Sequence, residues 1–215
     1  MSKETLLKYN SPAEDFNWAL PVGNGRIGGM IFGDPAEEII KLNEDSIWSG
    51  GPRHRVNPDA QEGLAEVRAL LSARDIKAAE KVAFEKLQGV TPNSRHYMPL
   101  GELKINMELD GRARDYSRTL ELSEAVSRVE FTVNDIKYTR EVFVSAPDEV
   151  MVIHITCEKP GMINLSCSID GRDDYYDDNR PSGKDMLMYT GGTGSRDGIF
   201  FAAAVGARTD RKSVV

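Results

Sequence analysis

Val129-Glu130-Phe131-Thr132-Val133-Asn134-Asp135-Ile136-Lys137-Tyr138-Thr139-Arg140-Glu141-Val142-Phe143-Val144 is the stretch that decides the fold. Apolar side chains recur at alternate positions on both sides of Asn134-Asp135: Val129, Phe131 and Val133 before it, Tyr138, Val142 and Val144 after it. Successive residues of a strand face opposite ways, so a period of two predicts strands with one buried face. Asn134-Asp135 reads as a short turn between them. Outward from this centre the pattern repeats. Leu103, Ile105 and Met107 alternate with polar residues, as do Leu120 and Leu122. Residues 150–155 and 162–169 read as a strand pair around Pro160-Gly161, and Met186–Tyr189 and Ile199–Val205 as two further strands. Upstream, residues 27–42 read as a hairpin about Gly33-Asp34-Pro35. Strands at this spacing with polar turns predict a mainly β fold, a large antiparallel β-sandwich.

Two short amphipathic helices interrupt the strands near residues 58–88. Asn57-Pro58 offers an N-cap followed by proline at the first helical position. Leu64, Val67 and Leu71 make an apolar stripe on the first helix. Asp75 is placed to cap the second; Ala78, Ala79, Val82, Ala83 and Leu87 line its inner face, and Gly89 ends it. Both stripes are expected to pack against a sheet.

The formal net charge is −7, which argues against binding to nucleic acid or to an anionic membrane surface. No apolar run approaches the length of a membrane span. The start, Met1-Ser2-Lys3-Glu4, lacks a signal-peptide core, so the chain as it stands reads as cytoplasmic, or as secreted if a leader has been removed. Cys157 and Cys167 flank the expected turn at Pro160-Gly161. Antiparallel pairing across that turn holds them too far apart for a disulfide, so two free, buried thiols are expected. No His or further Cys stands near them at ligand spacing, so no metal site is expected, and no cofactor.

Gly23-Asn24-Gly25-Arg26-Ile27-Gly28 matches the letters of a dinucleotide fingerprint, but a β-like run follows it where a helix is required. It reads instead as a turn that passes close to other backbone, with Arg26 as a pairing group. The acidic segment from Asp170 to Pro181 lacks the glycine and terminal glutamate of an EF-hand loop and reads as a solvated loop. His154 sits in an apolar strand and reads as a core histidine. Glu44 and Asp45 are the most tempting carboxylate pair for glycoside chemistry, but neighbours in a strand point to opposite faces. Asn43 and Asp45 share a face instead, and with Trp48 as a stacking platform they form the candidate substrate-binding set. The alternative is a loop held by its own hydrogen bonds with Trp48 packed in a core.

Trp18-Ala19-Leu20-Pro21-Val22-Gly23-Asn24-Gly25-Arg26-Ile27-Gly28-Gly29-Met30-Ile31-Phe32-Gly33 resembles the opening motif of the family 95 glycoside hydrolases, α-L-fucosidase-like enzymes. Leu42-Asn43-Glu44-Asp45-Ser46-Ile47-Trp48-Ser49-Gly50-Gly51-Pro52 and Tyr97-Met98-Pro99-Leu100-Gly101-Glu102-Leu103 are similar to two more of its motifs. Tyr116–Leu122 together with Tyr138–Phe143 and Ala146-Pro147-Asp148 resembles a fourth. The resemblance implies that residues 1–215 are a single N-terminal β-sandwich of supersandwich type, able to stop short of its last strands and leave an edge open for self-association. It implies a C-terminal (α/α)6 barrel as missing partner, which holds the acid and base of an inverting mechanism on α-L-fucosides or α-L-galactosides. A fucosylated oligosaccharide is then the substrate of the intact enzyme. No catalytic residue is carried over to this chain, which is expected to be inactive alone. A carbohydrate-binding or scaffolding module without catalysis is the alternative.

Overall fold

A computed structural model of the chain describes residues 5–52, 54–90, 95–172, 177–194, 196–210 and the backbone of 213–214. The strands in chain order are β1 (Leu6–Tyr9), β2 (Leu20–Gly23), β3 (Ile27–Ile31), β4 (Glu37–Glu44), β5 (Gly101–Met107), β6 (Arg114–Glu121), β7 (Val126–Val133), β8 (Ile136–Ser145), β9 (Val150–Cys157), β10 (Leu165–Asp170), β11 (Asp178–Pro181), β12 (Met186–Gly192), β13 (Phe200–Gly206) and β14 (Ser213–Val214). Helices α1 (Ala60–Ser72) and α2 (Ile76–Val82) lie between β4 and β5, and α2 runs on into a π-helical turn over Ala83–Leu87. A six-stranded sheet has the order β1-β6-β7-β8-β9-β14, a five-stranded sheet the order β10-β5-β4-β3-β2, and a small third sheet the order β11-β12-β13. All the pairings are antiparallel. The architecture is thus the mainly β, antiparallel sandwich expected, with two short helices inserted.

The alternation at the centre of the chain does what its period requires. Val129, Phe131, Val133, Tyr138 and Val142 are all buried, and the Phe131 and Tyr138 rings stack with centroids 5.3 Å apart. Asn134 and Asp135 have φ values of 49° and 60°, the two positive values that a tight two-residue hairpin turn demands. Leu103, Ile105 and Met107 of β5 and Ile40 and Leu42 of β4 supply the facing half of one hydrophobic core. Leu122 does not join it: β6 ends at Glu121, the alternation stops there, and Leu122 is exposed.

The layer between the sheets also holds charge. Glu38 and Arg140 form an ion pair of 2.5 Å, with side chains 0% and 1% exposed. Glu38 Oε1 accepts from the backbone N–H groups of Phe32 and Gly33, and Arg140 Nη2 donates to the Asp34 carbonyl. Arg118, also buried, donates to the Trp18 carbonyl and lies over the Tyr9 ring. Burial pushes the Glu38 carboxyl above its ordinary value, against the opposing pull of Arg140 and the two N–H donors. These groups clamp the β3–β4 turn against the opposite sheet.

Four expectations are corrected. β9 and β10 are not a hairpin: β9 pairs with β8 and β14 in the six-stranded sheet, whereas β10 pairs with β5 in the other, so the Pro160-Gly161 connection crosses between layers. Cys157 and Cys167 therefore sit in different sheets; both are free, Cys157 buried and Cys167 half-buried. The helices pack chiefly against each other rather than on a sheet. Gly63 and Val67 of α1 and Ala79 of α2 are buried, while Leu64 and Leu71 of the expected stripe are exposed. The α1 cap position is Asp59, and Asn57 instead donates to the carbonyls of Glu85 and Gln88 to tie the insert closed. Asp75 does cap α2, accepting from Ala78 N–H at 3.1 Å.

The acidic segment is the third correction. Asp178–Pro181 forms a strand, and Asp177 is buried in an ion pair with Arg172 at 2.7 Å; Asp173, Asp174, Tyr175 and Tyr176 lie outside the described residues. A solvated loop was expected because acidic runs are usually hydrated; here Arg172 and the Tyr189 hydroxyl, 2.7 Å away, replace the water. Fourth, His154 lies on the outer face of β9, 3.6 Å from Glu141, since its neighbour Ile155 takes the inward position.

Candidate functional site

One end of the sandwich gathers the polar and aromatic residues of the sequence motifs. The β2–β3 turn comes first. Asn24 Oδ1 accepts from the N–H groups of Arg26 and Ile27, and Gly25 supplies the φ of 94° that the turn needs. Asn24 Nδ2 crosses to the Ser145 carbonyl, and Arg26 pairs with Glu149 at 2.6 Å and Glu44 at 3.2 Å. The glycine-rich letters thus encode a hairpin that clasps the β8–β9 turn, and Arg26 is its pairing group. No helix follows it.

The Asn43–Trp48 segment adjoins this clasp. β4 ends at Glu44, so strand alternation no longer applies at Asp45. Asp45 N–H donates to the Arg26 carbonyl at 3.0 Å, which ties the loop to the β2–β3 turn. Glu44 Oε2 accepts from the Ser46 hydroxyl and N–H. Burial works to raise its pKa, but Ser46, Arg26 and Asp45 outweigh this and hold it below the ordinary carboxylate value. The Glu44 carboxylate is thus taken up by Arg26 and Ser46 in holding the loop.

Tyr97 organises the loop. Its hydroxyl receives a 2.6 Å hydrogen bond from Asn43 Nδ2 and donates to the Glu44 carbonyl at 2.9 Å. Its ring meets Trp48 edge-on at 5.1 Å, and Trp48 and Tyr97 form a β-bridge. Trp48 Nε1 donates to the Asp45 carbonyl. Ser49 N–H donates to the His96 carbonyl, and His96 N–H donates back to Ser49 Oγ. Both side-chain polar atoms of the aromatic pair are thus engaged inside the loop, while the two residues stay 44% and 43% exposed. What the loop offers outward is apolar ring surface, fixed in place. Ile47, not Trp48, is the residue that packs into the core.

Of the candidate residues Asn43, Asp45 and Trp48, the structure brings Asn43 and Trp48 together through Tyr97, and joins Asp45 to Trp48 through its backbone. Tyr97 was visible in the sequence as the start of a motif, but no local pattern connected it to residues 54 positions away. The far side of the loop is held by close approach. A side chain at Gly51 would run into the carbonyl oxygen of Asp197, and Gly50 N–H donates to the Thr193 carbonyl. Among the described residues no group of three or more His, Cys, Asp or Glu side chains is placed to hold a metal. Among the described residues no helix is long and apolar enough to cross a membrane.

The family model described as "Glycosyl hydrolase family 65, N-terminal domain" matches residues 7–215. The chain is 35% identical over 193 residues to "Alpha-L-fucosidase 2" of Arabidopsis thaliana, an alignment that takes in 87% of this chain and 22% of that protein. It is 30% identical over 143 residues to "Probable alpha-fucosidase A" of Aspergillus oryzae, covering 63% of this chain and 19% of that protein. The Aspergillus niger protein of the same name is 33% identical over 144 residues, covering 64% and 18%. The chain therefore spans about a fifth of the length of each relative. The family number, 65, differs from the 95 that the motifs resemble, and the match does not separate the two. A glycoside hydrolase's amino-terminal β-domain, of the kind found in proteins named α-fucosidases, is the family to which this chain belongs.

Proposed function

We propose that this domain serves an α-L-fucosidase-type glycosidase as the support of a catalytic (α/α)6 barrel, and that its 43–54 loop borders the mouth of the active site. The observation that carries the reading is the Trp48–Tyr97 pair: two large rings, half exposed, with both side-chain polar atoms engaged in holding them still. Such a surface suits the apolar face of a sugar ring. A side chain already ordered also loses little entropy on contact. The hydrolytic carboxylates belong to the barrel, so the domain by itself is inactive. The substrate of the intact enzyme is an α-L-fucoside or a related α-L-galactoside, in line with the names of the relatives.

An aryl α-L-fucoside assay tests the first part: turnover by this chain alone would overturn it. For the second, Trp48→Ala in a full-length enzyme is expected to raise KM or lower kcat. Unchanged kinetics with a lower melting temperature would show that the loop only packs. A binding module is the second reading, favoured by the same exposed rings. Under it, Trp fluorescence of this chain changes on titration with fucose up to millimolar; under the first reading the chain alone shows no such change.

A further inference from the structure

The Trp48 indole N–H is anchored on the Asp45 carbonyl, 3.1 Å away. That carbonyl lies past the end of β4, in a turn, so no strand ladder holds it. Its place depends on the peptide group before it, Glu44–Asp45, which is held at both ends. The N–H of this group donates to the Arg26 carbonyl at 3.0 Å. Its C=O accepts from the Tyr97 hydroxyl at 2.9 Å and, at a longer 3.3 Å, from the Ile47 N–H that closes the turn. Asn43 Nδ2, 2.6 Å from the same hydroxyl, is a donor; it takes an oxygen lone pair and leaves the Tyr97 proton to point at Glu44. The contacts form one line from the Asn43 amide through the Tyr97 hydroxyl and the Glu44–Asp45 peptide to the indole. Tyr97 can steady the loop because its own backbone belongs to a firmer frame. Met98 N–H donates to the Ile47 carbonyl and Leu100 N–H to the Leu42 carbonyl, and Met98 and Leu100 are both buried.

We propose that Tyr97 is the positioning residue of this loop: its hydroxyl fixes the pose in which Trp48 meets a sugar, and it acts through Trp48 instead of binding the sugar itself. This rests on the reading of the loop given above. The hydroxyl proton is committed to Glu44 and one lone pair to Asn43, both inside the protein. Its effect is to order the indole before contact, so that the ring loses little freedom when a ligand arrives. The same arrangement gives Asn43 Nδ2 a supporting task, holding Tyr97, in place of a contact with the sugar.

Tyr97→Phe tests this, since it keeps the ring against Trp48 and removes only the hydroxyl. The first measurement uses this chain in a Trp18→Phe background, which leaves Trp48 as the one tryptophan. Trp18 is exposed, and Arg118 uses its backbone carbonyl, not its ring. Tyr97→Phe is expected to lower the fluorescence anisotropy of Trp48 with circular dichroism unchanged; an unchanged anisotropy overturns the proposal. The second measurement is the steady-state kinetics of a full-length enzyme that carries this domain, on an α-L-fucoside. Tyr97→Phe is expected to raise KM by about threefold to tenfold at unchanged kcat. Tyr97→Phe/Trp48→Ala is expected to be no worse than Trp48→Ala, because a group that acts through the ring has nothing to act on once the ring is gone. A role in packing alone would lower the melting temperature and leave KM as it was. The proposal is overturned, with the reading of the loop intact, if the two substitutions add, or if Trp48→Ala changes the kinetics and Tyr97→Phe does not. Unchanged kinetics in Trp48→Ala would overturn the reading of the loop itself, and the role of Tyr97 with it.

Discussion

Arg140→Met is the sharpest test of how the two main sheets are held together. The substitution keeps the apolar stem and removes the guanidinium from a site where Arg140 is 1% exposed and Glu38 0%. Glu38 would be left as a buried carboxylate with only the Phe32 and Gly33 N–H groups, and the Asp34 carbonyl would lose its donor. Breaking a buried pair from one side costs roughly 3–5 kcal/mol. For a domain of this size each kcal/mol moves the midpoint by about 2–4 °C, so a fall in Tm of about 10–15 °C is expected. The double variant Glu38→Leu/Arg140→Met removes the orphan charge, but it still strands the Gly33 N–H and the Asp34 carbonyl, at about 1–3 kcal/mol each. Phe32 N–H keeps its bond to the Ile39 carbonyl. The double variant should therefore recover about 1–2 kcal/mol of the single variant's loss without reaching the parent. Urea unfolding followed by circular dichroism measures all three proteins. A loss below about 1 kcal/mol in Arg140→Met, or a double variant less stable than the single one, refutes the clamp.

Asp177 gives a pH signature. Burial acts to raise its pKa, but Arg172 and Tyr189 prevail and hold it below the ordinary aspartate value. A depressed folded pKa stabilises the fold above the unfolded value, near 3.9, and that stability is lost as pH falls through the folded pKa. The stability gap between the parent and Asp177→Asn is thus expected to be full at pH 7 and to shrink below about pH 4, as read by urea midpoints at each pH. Gly51→Ala forces a Cβ into the Asp197 carbonyl, and should cost about 1–3 kcal/mol and shift the emission of nearby Trp48. Trp48→Ala in this chain removes one edge-on aromatic contact from a half-exposed ring, so a loss of roughly 1 kcal/mol is expected; a core-sized loss of about 3–5 kcal/mol would contradict its exposure.

The sequence alone determined the local facts. Period-two alternation marks Val129 to Val144 as two strands with one wet face, and Asn134-Asp135 tolerates the positive φ values that its turn requires. Asn43, Asp45 and Trp48 stood out because their segment mixes a large aromatic with turn formers. What alternation cannot carry is the identity of the partner strand, since any two strands of that period satisfy it. Tertiary structure therefore decided that β9 and β10 separate into different sheets, and that Tyr97 completes the Asn43–Trp48 loop from 54 residues away. It also decided that Glu38, Arg140 and Asp177 are buried. A charge enters a core only where its counter-charge and donors converge on it, and those come from distant segments. The apolar stripe on α1 was legible, but its covering was not: hydrophobic spacing says that a face seeks contact, and the packing of α2 decided which residues found it.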